Sequence, residues 1–180
     1  MSRELVIGAS IIVGSASARV TTLRTYNSKH YLVTCGHVFR GTDEVRRPGS
    51  DVVIARLSNN LLDRPRSVDL AFAELTVEGM EIMHPNAQWE TAPPGGAGWI
   101  AREGRKLRQT VVDAYPVYDA PFYPSGPYIR TRFAGEEPGD SGACLLREDL
   151  SERRICGLLK GRAELDGQWF GFYVPLDGLL

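Results

Sequence analysis

Short runs of strand-forming residues, soon ended by turn residues, fill almost the whole of this 180-residue chain. The runs are rich in Val, Ile, Leu, Thr and Tyr, which is typical of an all-β sandwich or barrel. No long stretch has the 3.6-residue apolar period of an amphipathic helix, and the end, 176–180, is too short to assign. The predicted strands are Glu4–Val13, Arg19–Thr25, His30–Thr34, Asp51–Leu57, Leu70–Leu75, Gly98–Ile100, Leu107–Ala114, Tyr128–Phe133, Ala143–Arg147, Arg154–Leu159 and Phe170–Pro175.

A proline- and glycine-rich segment near the middle is the one plausible internal boundary. It contains Pro85, Pro93, Pro94, Gly95 and Gly96, which are poor strand interiors and good connectors. We therefore predict a β-unit over residues 1–84, a linker over 85–97 and a second β-unit over 98–180.

The charges of the chain are nearly balanced, with 21 basic against 22 acidic residues. A balanced chain has no broad cationic field, so we expect neither nucleic acid nor a membrane surface as a partner. No window has the run of about 18 apolar residues that a membrane-spanning helix needs. Since 43% of the residues are hydrophobic, an ordinary globular core can form.

The three cysteines, Cys35, Cys144 and Cys156, are widely spaced and odd in number. They match neither a disulfide framework nor a zinc-ligand spacing, which favours a reducing compartment. The first residues lack the basic and apolar regions of a secretion signal, so we expect a cytoplasmic protein. The acidic residues do not cluster with the three histidines, and we expect no metal and no organic cofactor.

The segment Glu137–Ala143 (Glu-Pro-Gly-Asp-Ser-Gly-Ala) carries the strongest chemical signal. A serine hydroxyl needs a neighbouring base and nearby N–H donors before it can act as a nucleophile. Gly139 allows the tight backbone that aims an N–H into a cleft, and Gly142 leaves room for an imidazole. The apolar run after Ala143 would hold Ser141 on a rigid strand. A plain surface turn has the same composition, so the segment alone leaves both interpretations open.

A histidine and an aspartate each stand at one end of an apolar strand. His37 follows the strand-like run Tyr31–Cys35 through Gly36, so its imidazole would lie at a barrel rim, where it can act as a general base. Asp69 opens the strand Leu70–Leu75, where its carboxylate could orient that imidazole. A structural histidine and an aspartate that only bounds a strand are the alternatives.

Taken together and in the order His, Asp, Ser, these three blocks resemble the trypsin/chymotrypsin-like serine peptidases. The matching blocks are Thr34–His37, Asp69–Ala71 and Gly139–Gly142, and the resemblance extends from Gly8 to about Pro175. In outline the chain is similar to compact bacterial and viral members, including the protease domain of the HtrA group without a PDZ domain. The chain order differs from that of subtilisin-like enzymes and α/β-hydrolases.

The resemblance implies a chymotrypsin-like double six-stranded antiparallel β-barrel with the active site between the barrels. It implies that His37, Asp69 and Ser141 form the catalytic triad and that the N–H groups of Gly139 and Ser141 form the oxyanion hole. A trypsin-like hydrolase of this kind would cleave protein or peptide substrates through an acyl-enzyme.

The resemblance also suggests which residues bind substrate. They are the pocket-base positions Gly135 and Glu136 and the pocket-lining strand residues Leu158, Leu159, Lys160 and Gly161. Because Gly135 carries no acid, we expect an apolar or small residue before the cleaved bond. Lys160 is expected to be a solvated charge at a strand end, with contact to an acidic side chain as the alternative.

The activation mode is a further expectation. Secreted members of the family pair a newly cut amino terminus with the aspartate before the serine, here Asp140. The echo of such a terminus at Ile12–Gly14 lies inside a predicted strand. We therefore expect backbone N–H groups or an arginine to bind Asp140, and activity that is constitutive or gated by loops or a regulatory protein partner.

Two other functions remain open. A catalytically silent barrel could serve as a protein-binding module, although such a role does not require the intact set of His37, Asp69 and Ser141. A hydrolase of esters or thioesters could use the same fold, since fold alone does not determine function.

Overall fold

The computed structural model describes residues 4–63, 68–102, 105–117, 127–133, 135–147 and 154–180. These residues form fourteen strands, one short α-helix (α1, Val77–Glu81) and two 3₁₀ turns, Gly36–Val38 and Leu61–Asp63. The strands are β1 (Ser10–Val13), β2 (Ala16–Arg19), β3 (Thr22–Tyr26), β4 (Lys29–Thr34), β5 (Glu44–Arg46), β6 (Val53–Asn60), β7 (Ala71–Leu75), β8 (Glu90–Thr91), β9 (Ala97–Arg102), β10 (Arg105–Val117), β11 (Pro127–Arg132), β12 (Cys144–Arg147), β13 (Arg154–Leu165) and β14 (Gln168–Pro175).

The first seven strands form one antiparallel sheet in the order β2-β1-β5-β6-β7-β4-β3. Its two edge strands, β2 and β3, follow one another directly in the chain. The connecting residues are bonded on both sides, from Val20 N–H to the Ala9 carbonyl and from Thr21 N–H to the Val33 carbonyl, each at 2.9 Å. The sheet therefore curls around so that its two edges meet.

The second sheet closes on itself. Its order is β12-β9-β10-β11-β14-β13-β8, and an additional pairing of β12 with β13 completes a ring of six strands. The two-residue strand β8 lies outside the ring and pairs in parallel with β13. A closed ring leaves its six strands without a free edge. Together the two sheets confirm the predicted all-β double barrel.

The cores of the barrels come from side chains that alternate along the strands. In β7, Ala71, Ala73 and Leu75 are buried while the residues between them are half-buried. The second barrel encloses a compact cluster that includes Ile100, Leu145 and Tyr173. These apolar interiors stabilise the strand ends on which the predicted site residues lie.

Local signals in the sequence located most strands. Asn27–Ser28, two turn-forming residues between the predicted strands Arg19–Thr25 and His30–Thr34, predict a hairpin. The structure confirms it, since both residues have positive φ (49° and 62°) and the flanking Tyr26 and Lys29 pair with each other. The prediction missed β2, β5 and β8. These strands are short, and they are largely made of small or charged residues with little β-propensity.

The helix α1 was also not predicted from the sequence. It has only five residues, and Thr76 caps it by accepting a hydrogen bond from Gly79 N–H on its side-chain oxygen. Within the described ranges, no helix is long and apolar enough to cross a lipid bilayer.

The predicted linker 85–97 lies between the two sheets in the chain. It contains β8 and the first residue of β9, so this segment is partly strand and not only connector. The division of the chain into two units at this linker stays a prediction.

Direct hydrogen bonds join the two barrels beside Ser141. The Arg19 N–H donates to the Ser141 carbonyl at 2.8 Å, and the Thr21 hydroxyl donates to the Gly142 carbonyl at 2.6 Å. Thr21 is fully buried, so water cannot replace this hydroxyl. Ser141 and the residue after it are thereby fixed to the first barrel.

We expect Thr21→Val to lower the free energy of unfolding by about 1–3 kcal/mol, because the Gly142 carbonyl would lose a buried donor. Urea unfolding followed by tryptophan fluorescence measures the change. Thr25→Val, on the exposed part of β3, is the matched control and should change stability by less than about 0.5 kcal/mol. Equal effects of the two substitutions would contradict the role of this bond between the barrels.

Candidate active site

His37 lies in the 3₁₀ turn that follows β4. The turn is anchored by Asn60, whose side-chain N–H donates to the Gly36 carbonyl at 3.1 Å. A Cβ on residue 36 would collide with the Asn60 side chain, so only glycine allows this approach. The apolar strand before the turn fixes its position, and the imidazole reaches the space between the barrels.

Asp69 lies two residues before the start of β7, and its carboxylate is fully buried. One carboxylate oxygen accepts the backbone N–H of His37 at 2.8 Å, and the other accepts Nδ1 of the same residue at 2.7 Å. The neighbouring backbone is fixed by a bond from Leu61 N–H to the Leu70 carbonyl at 2.8 Å. The carboxylate therefore orients both the backbone and the ring of His37.

Ser141 lies in a tight turn that leads into β12. Gly139 and Gly142 on either side of it have positive φ values of 93° and 85°, a region that favours glycine. A Cβ on Gly142 would also collide with the Thr34 hydroxyl and the Arg19 carbonyl of the first barrel. The glycines of the sequence motif therefore permit both the turn and the close approach of the barrels.

The structure brings His37, Asp69 and Ser141 together in one hydrogen-bonded chain. The Nε2 atom of His37 lies 3.2 Å from Oγ of Ser141, while its Nδ1 atom lies 2.7 Å from Asp69. With Nδ1 bound to a carboxylate, the neutral ring carries its proton on Nδ1 and presents a free lone pair at Nε2. That lone pair can accept the proton of the serine hydroxyl.

Two backbone N–H groups beside the serine have no bonded acceptor in the described part of the chain. They belong to Gly139 and Ser141, the two predicted oxyanion-hole residues. The intervening Asp140 N–H, in contrast, donates to the Glu137 carbonyl at 3.0 Å. Within this turn the Asp140 N–H is therefore used by an internal hydrogen bond, while the N–H groups of Gly139 and Ser141 are available to an external oxygen.

Lys160 also contacts the buried aspartate. Its ammonium lies 2.7 Å from Oδ2 of Asp69, and its side chain is only 13% exposed. The sequence-based expectation of a solvated strand-end charge is therefore wrong, since the ammonium pairs with Asp69 of the chain itself. Lysine rarely occurs buried unless it is paired, which is why the sequence favoured the surface.

The electrostatics of the site follow from these contacts. Burial disfavours the charged form of Asp69, but the hydrogen bonds and charges of His37 and Lys160 outweigh it and hold the pKa of Asp69 below its ordinary value. Burial and the nearby Asp69 charge raise the pKa of Tyr128 to about 12. Asp69 is thus ionised and Tyr128 neutral at neutral pH.

Asp140 is buried and is held by arginines. It forms a buried ion pair with Arg102 and accepts the Glu137 N–H at 2.8 Å, while Arg19 Nε lies 3.4 Å away. This confirms the expectation that backbone N–H groups or an arginine would bind Asp140. The serine turn is therefore held by charges within the chain itself.

The predicted substrate-binding residues occupy different environments. The Gly135 carbonyl accepts Arg102 at 2.8 Å, and Glu136 is 2% exposed, with its carboxylate 3.4 Å from the Tyr173 hydroxyl. Leu158 and Leu159 are buried, and the backbone of Leu159 bonds to that of Gly142 and Ala143. Gly161 faces open space. Their role in substrate binding stays a prediction.

Several residues that shape the site were not identified from the sequence. They are Asn60, which anchors the His37 turn, and Arg19 and Arg102, which bind Asp140. Only the contact with Asn60 has a local signal in the sequence. The glycine at position 36 indicates that another group approaches the backbone closely, but nothing in the sequence identifies that group as Asn60. The arginine contacts join positions far apart in the chain, and no motif encodes them.

The cysteines take no part in this arrangement. Cys35, Cys144 and Cys156 are all buried, and no disulfide joins any two of them. Burial raises the pKa of the Cys35 and Cys144 thiols, which keeps both in the inert thiol form. Within the described residues, no group of three or more His, Cys, Asp or Glu side chains could hold a metal ion.

We expect Arg102→Met to lower the free energy of unfolding by about 3–5 kcal/mol, because Asp140 would lose its buried counter-charge. Chemical denaturation at neutral pH measures this loss. Arg56→Met is the control: Arg56 pairs with Glu44 at 2.9 Å but is 53% exposed, so its loss should cost no more than about 1 kcal/mol. A loss at Arg102 no larger than at Arg56 would show that Asp140 does not depend on the arginine.

Comparison with known proteins agrees with the fold. No family model matches the chain, and no curated protein matches it in sequence. Among solved structures it is similar to a glutamic acid specific serine protease described as using a histidine triad in substrate binding, with a TM-score of 0.73, 15% identity and coverage of 97% of this chain and 95% of that chain. It is also similar to Thermobifida fusca protease A (TM-score 0.71, 16% identity, covering 98% and 94%).

A third similar structure is an alpha-lytic protease homologue, with a TM-score of 0.70, 18% identity and coverage of 96% of this chain and 93% of that chain. All three neighbours are chymotrypsin-like serine proteases, and each match extends over nearly the whole of both chains. At these identities the similarity concerns the fold. The chain therefore has the chymotrypsin-like double β-barrel fold of the serine proteases.

Proposed function

We propose that the protein is a serine endopeptidase that cleaves protein or peptide substrates through an acyl-enzyme intermediate. The observation that carries the proposal is the continuous chain from Asp69 through His37 to Oγ of Ser141, with contacts of 2.7 and 3.2 Å. This order supplies a nucleophile, a base within hydrogen-bond reach and a group that orients the base.

The first half of the reaction forms the acyl-enzyme. Oγ of Ser141 attacks the peptide carbonyl carbon, and Nε2 of His37 takes the hydroxyl proton. Asp69 stabilises the resulting imidazolium through Nδ1. When the tetrahedral intermediate collapses, the C–N bond breaks and His37 gives its proton to the leaving amine. Water then attacks the ester by the same route and releases the carboxylic acid and the free serine.

The developing oxyanion needs donors that are in position before the reaction. The N–H groups of Gly139 and Ser141 are suited to this task, since no described residue accepts them and their turn is held by hydrogen bonds to the first barrel. Loss of a single such donor typically costs a factor of about 10²–10³ in turnover. The ion pair of Asp140 with Arg102 supports the turn without a free amino terminus.

The similar structures support peptide hydrolysis as the reaction class, because all three are described as proteases. They do not fix the substrate. For the residue before the cleaved bond we propose an apolar or small side chain. Gly135 provides no acid, and the Glu136 carboxylate is only 2% exposed and lies beside the Tyr173 hydroxyl, so it offers a substrate cation little access.

We expect a fluorophosphonate probe to label the native chain and to leave Ser141→Ala and His37→Ala unlabelled, because the probe reacts only with an activated serine. Peptide hydrolysis by either variant should fall by at least about 10⁴-fold. Ser58→Ala and His30→Ala, at exposed or half-buried positions of the first barrel, are the matched controls and should label normally.

Labelling that persists in Ser141→Ala would overturn the assignment of the nucleophile. A folded native chain that is neither labelled nor active on peptides or esters would instead favour a silent barrel that binds proteins. A chain that hydrolyses esters but no peptide would favour the ester-directed alternative.

The side-chain preference is tested with peptides that differ only in the residue before the cleaved bond. We expect kcat/KM for Ala or Leu to exceed that for Arg, Lys or Glu by about tenfold or more, since a substrate charge that is buried without a partner is costly. A preference for Arg or Lys that disappears in Glu136→Gln would contradict this and identify Glu136 as the acid of the pocket.

A further inference from the structure

Lys160 shares one carboxylate oxygen with the candidate catalytic histidine. Its ammonium and the Nδ1 atom of His37 each lie 2.7 Å from Oδ2 of Asp69. A lysine side chain ordinarily extends its charge into solvent, yet this one is 13% exposed and the carboxylate it meets is fully buried. The mostly buried ammonium of Lys160 therefore lies close to the imidazole of His37.

A local irregularity in β13 directs this side chain. The pairing of β13 with β14 shifts register between Leu159 and Gly161, so Lys160 has no partner on β14. Such a bulge re-aims the side chain of the extra residue. Because β13 belongs to the second barrel and Asp69 to the first, the ion pair also joins the two barrels at the site.

The other groups near Asp69 carry no charge at neutral pH. Cys35, just before the His37 turn, and Tyr128, on β11, both interact electrostatically with Asp69, and burial raises the pKa of each. In the part of the chain that the structure describes, Lys160 and His37 are the cationic groups that pair with this carboxylate. Lys160 therefore provides Asp69 with a countercharge besides His37.

We propose that Lys160 is a positioning residue of the candidate triad: its ammonium holds Asp69 in place and offsets part of its charge, which keeps His37 in its neutral, proton-accepting form down to lower pH. This inference rests on the proposed peptidase function. It differs from the predicted role of Lys160 in substrate binding, because the charge faces Asp69.

The sign of the effect follows from the charges. A carboxylate without a countercharge favours protonation of the neighbouring imidazole, and a protonated imidazole cannot accept the serine proton. An ammonium on the same carboxylate oxygen disfavours a second positive charge beside it. Removing the ammonium should therefore raise the pH at which activity is lost on the acid side of the pH profile.

The test compares the pH dependence of kcat/KM for the native enzyme, Lys160→Met, Lys160→Gln and Lys160→Arg. Glutamine keeps a hydrogen-bond donor for Asp69 without the charge, and arginine keeps the charge. If Lys160→Met does not fold, as judged by circular dichroism, Lys160→Gln alone provides the test. Lys29→Met is the matched control, since Lys29 pairs with Glu74 at 2.9 Å on the exposed surface of the first barrel.

We expect the midpoint of the acid limb to rise by about one pH unit in Lys160→Met and Lys160→Gln. It should stay at the native value in Lys160→Arg and Lys29→Met. The KM on the alkaline plateau should remain within about twofold of the native value, because no substrate contact is removed. Circular dichroism at each pH checks that every variant stays folded through the acid limb, because acid unfolding would also move the midpoint.

An unmoved midpoint in both neutral variants would overturn the proposal. If only stability falls, Lys160 is a structural ion-pair partner; if KM rises while the midpoint stays, Lys160 binds substrate.

Failure of the proposed peptidase function can be distinguished from failure of the proposed role of Lys160. A native chain without turnover or labelling would contradict the proposed peptidase function. The NMR titration of the His37 ring would then test the role of Lys160 without turnover. A higher midpoint in Lys160→Gln than in the native chain supports the positioning role, and equal midpoints overturn it.

Discussion

The serine turn of the second barrel is hydrogen-bonded to the first barrel, and the geometry of the candidate site depends on that junction. The Arg19 N–H and the Thr21 hydroxyl bind the carbonyls of Ser141 and Gly142 at 2.8 and 2.6 Å. The base, His37, belongs to the first barrel. A catalytic group displaced by about 1 Å can lose two orders of magnitude in rate. Because these bonds hold the backbone of Ser141 and of the residue after it, the nucleophile keeps its position relative to the base although the two belong to different sheets.

Two buried carboxylates strengthen this arrangement, and each takes its cation from a distant strand. Asp140 is paired with Arg102 of β9, which fixes the serine turn within its own barrel. Asp69 is paired with Lys160 of β13, which links the barrels beside the histidine. A buried carboxylate left without its cation is strongly unfavourable, so each pair disfavours any arrangement that separates its members. The hydrogen-bonded junction and the ion pairs therefore favour the same relative placement of the three site residues.

The features that could be predicted from the sequence are those that depend on neighbouring residues. Strand-length apolar runs predicted an all-β sandwich or barrel, and the resemblance carried by the three motif blocks implied the double barrel. Asn27–Ser28 marked a hairpin because both residues tolerate positive φ. The three site residues were identified because each stands where an apolar strand meets a turn, the position that brings a polar side chain to a barrel rim. Their assembly into one hydrogen-bonded chain is a property of the fold, and no single motif contains it.

The features that could not be predicted depend on contacts between distant segments. A lysine after the apolar run Ile155–Leu159 looks like a solvated strand end, because an ordinary strand would direct it outward and lysines are rarely buried. The bulge at Lys160 reverses that expectation, and it leaves no clear mark in the sequence because neither Lys160 nor Gly161 after it has a positive φ that requires glycine. Gly139 is the opposite case: its positive φ of 93° requires glycine, so the irregular turn can be recognised from the sequence. Irregular backbone directs polar groups toward the site at both positions, and only the one that requires a special residue can be found from the sequence.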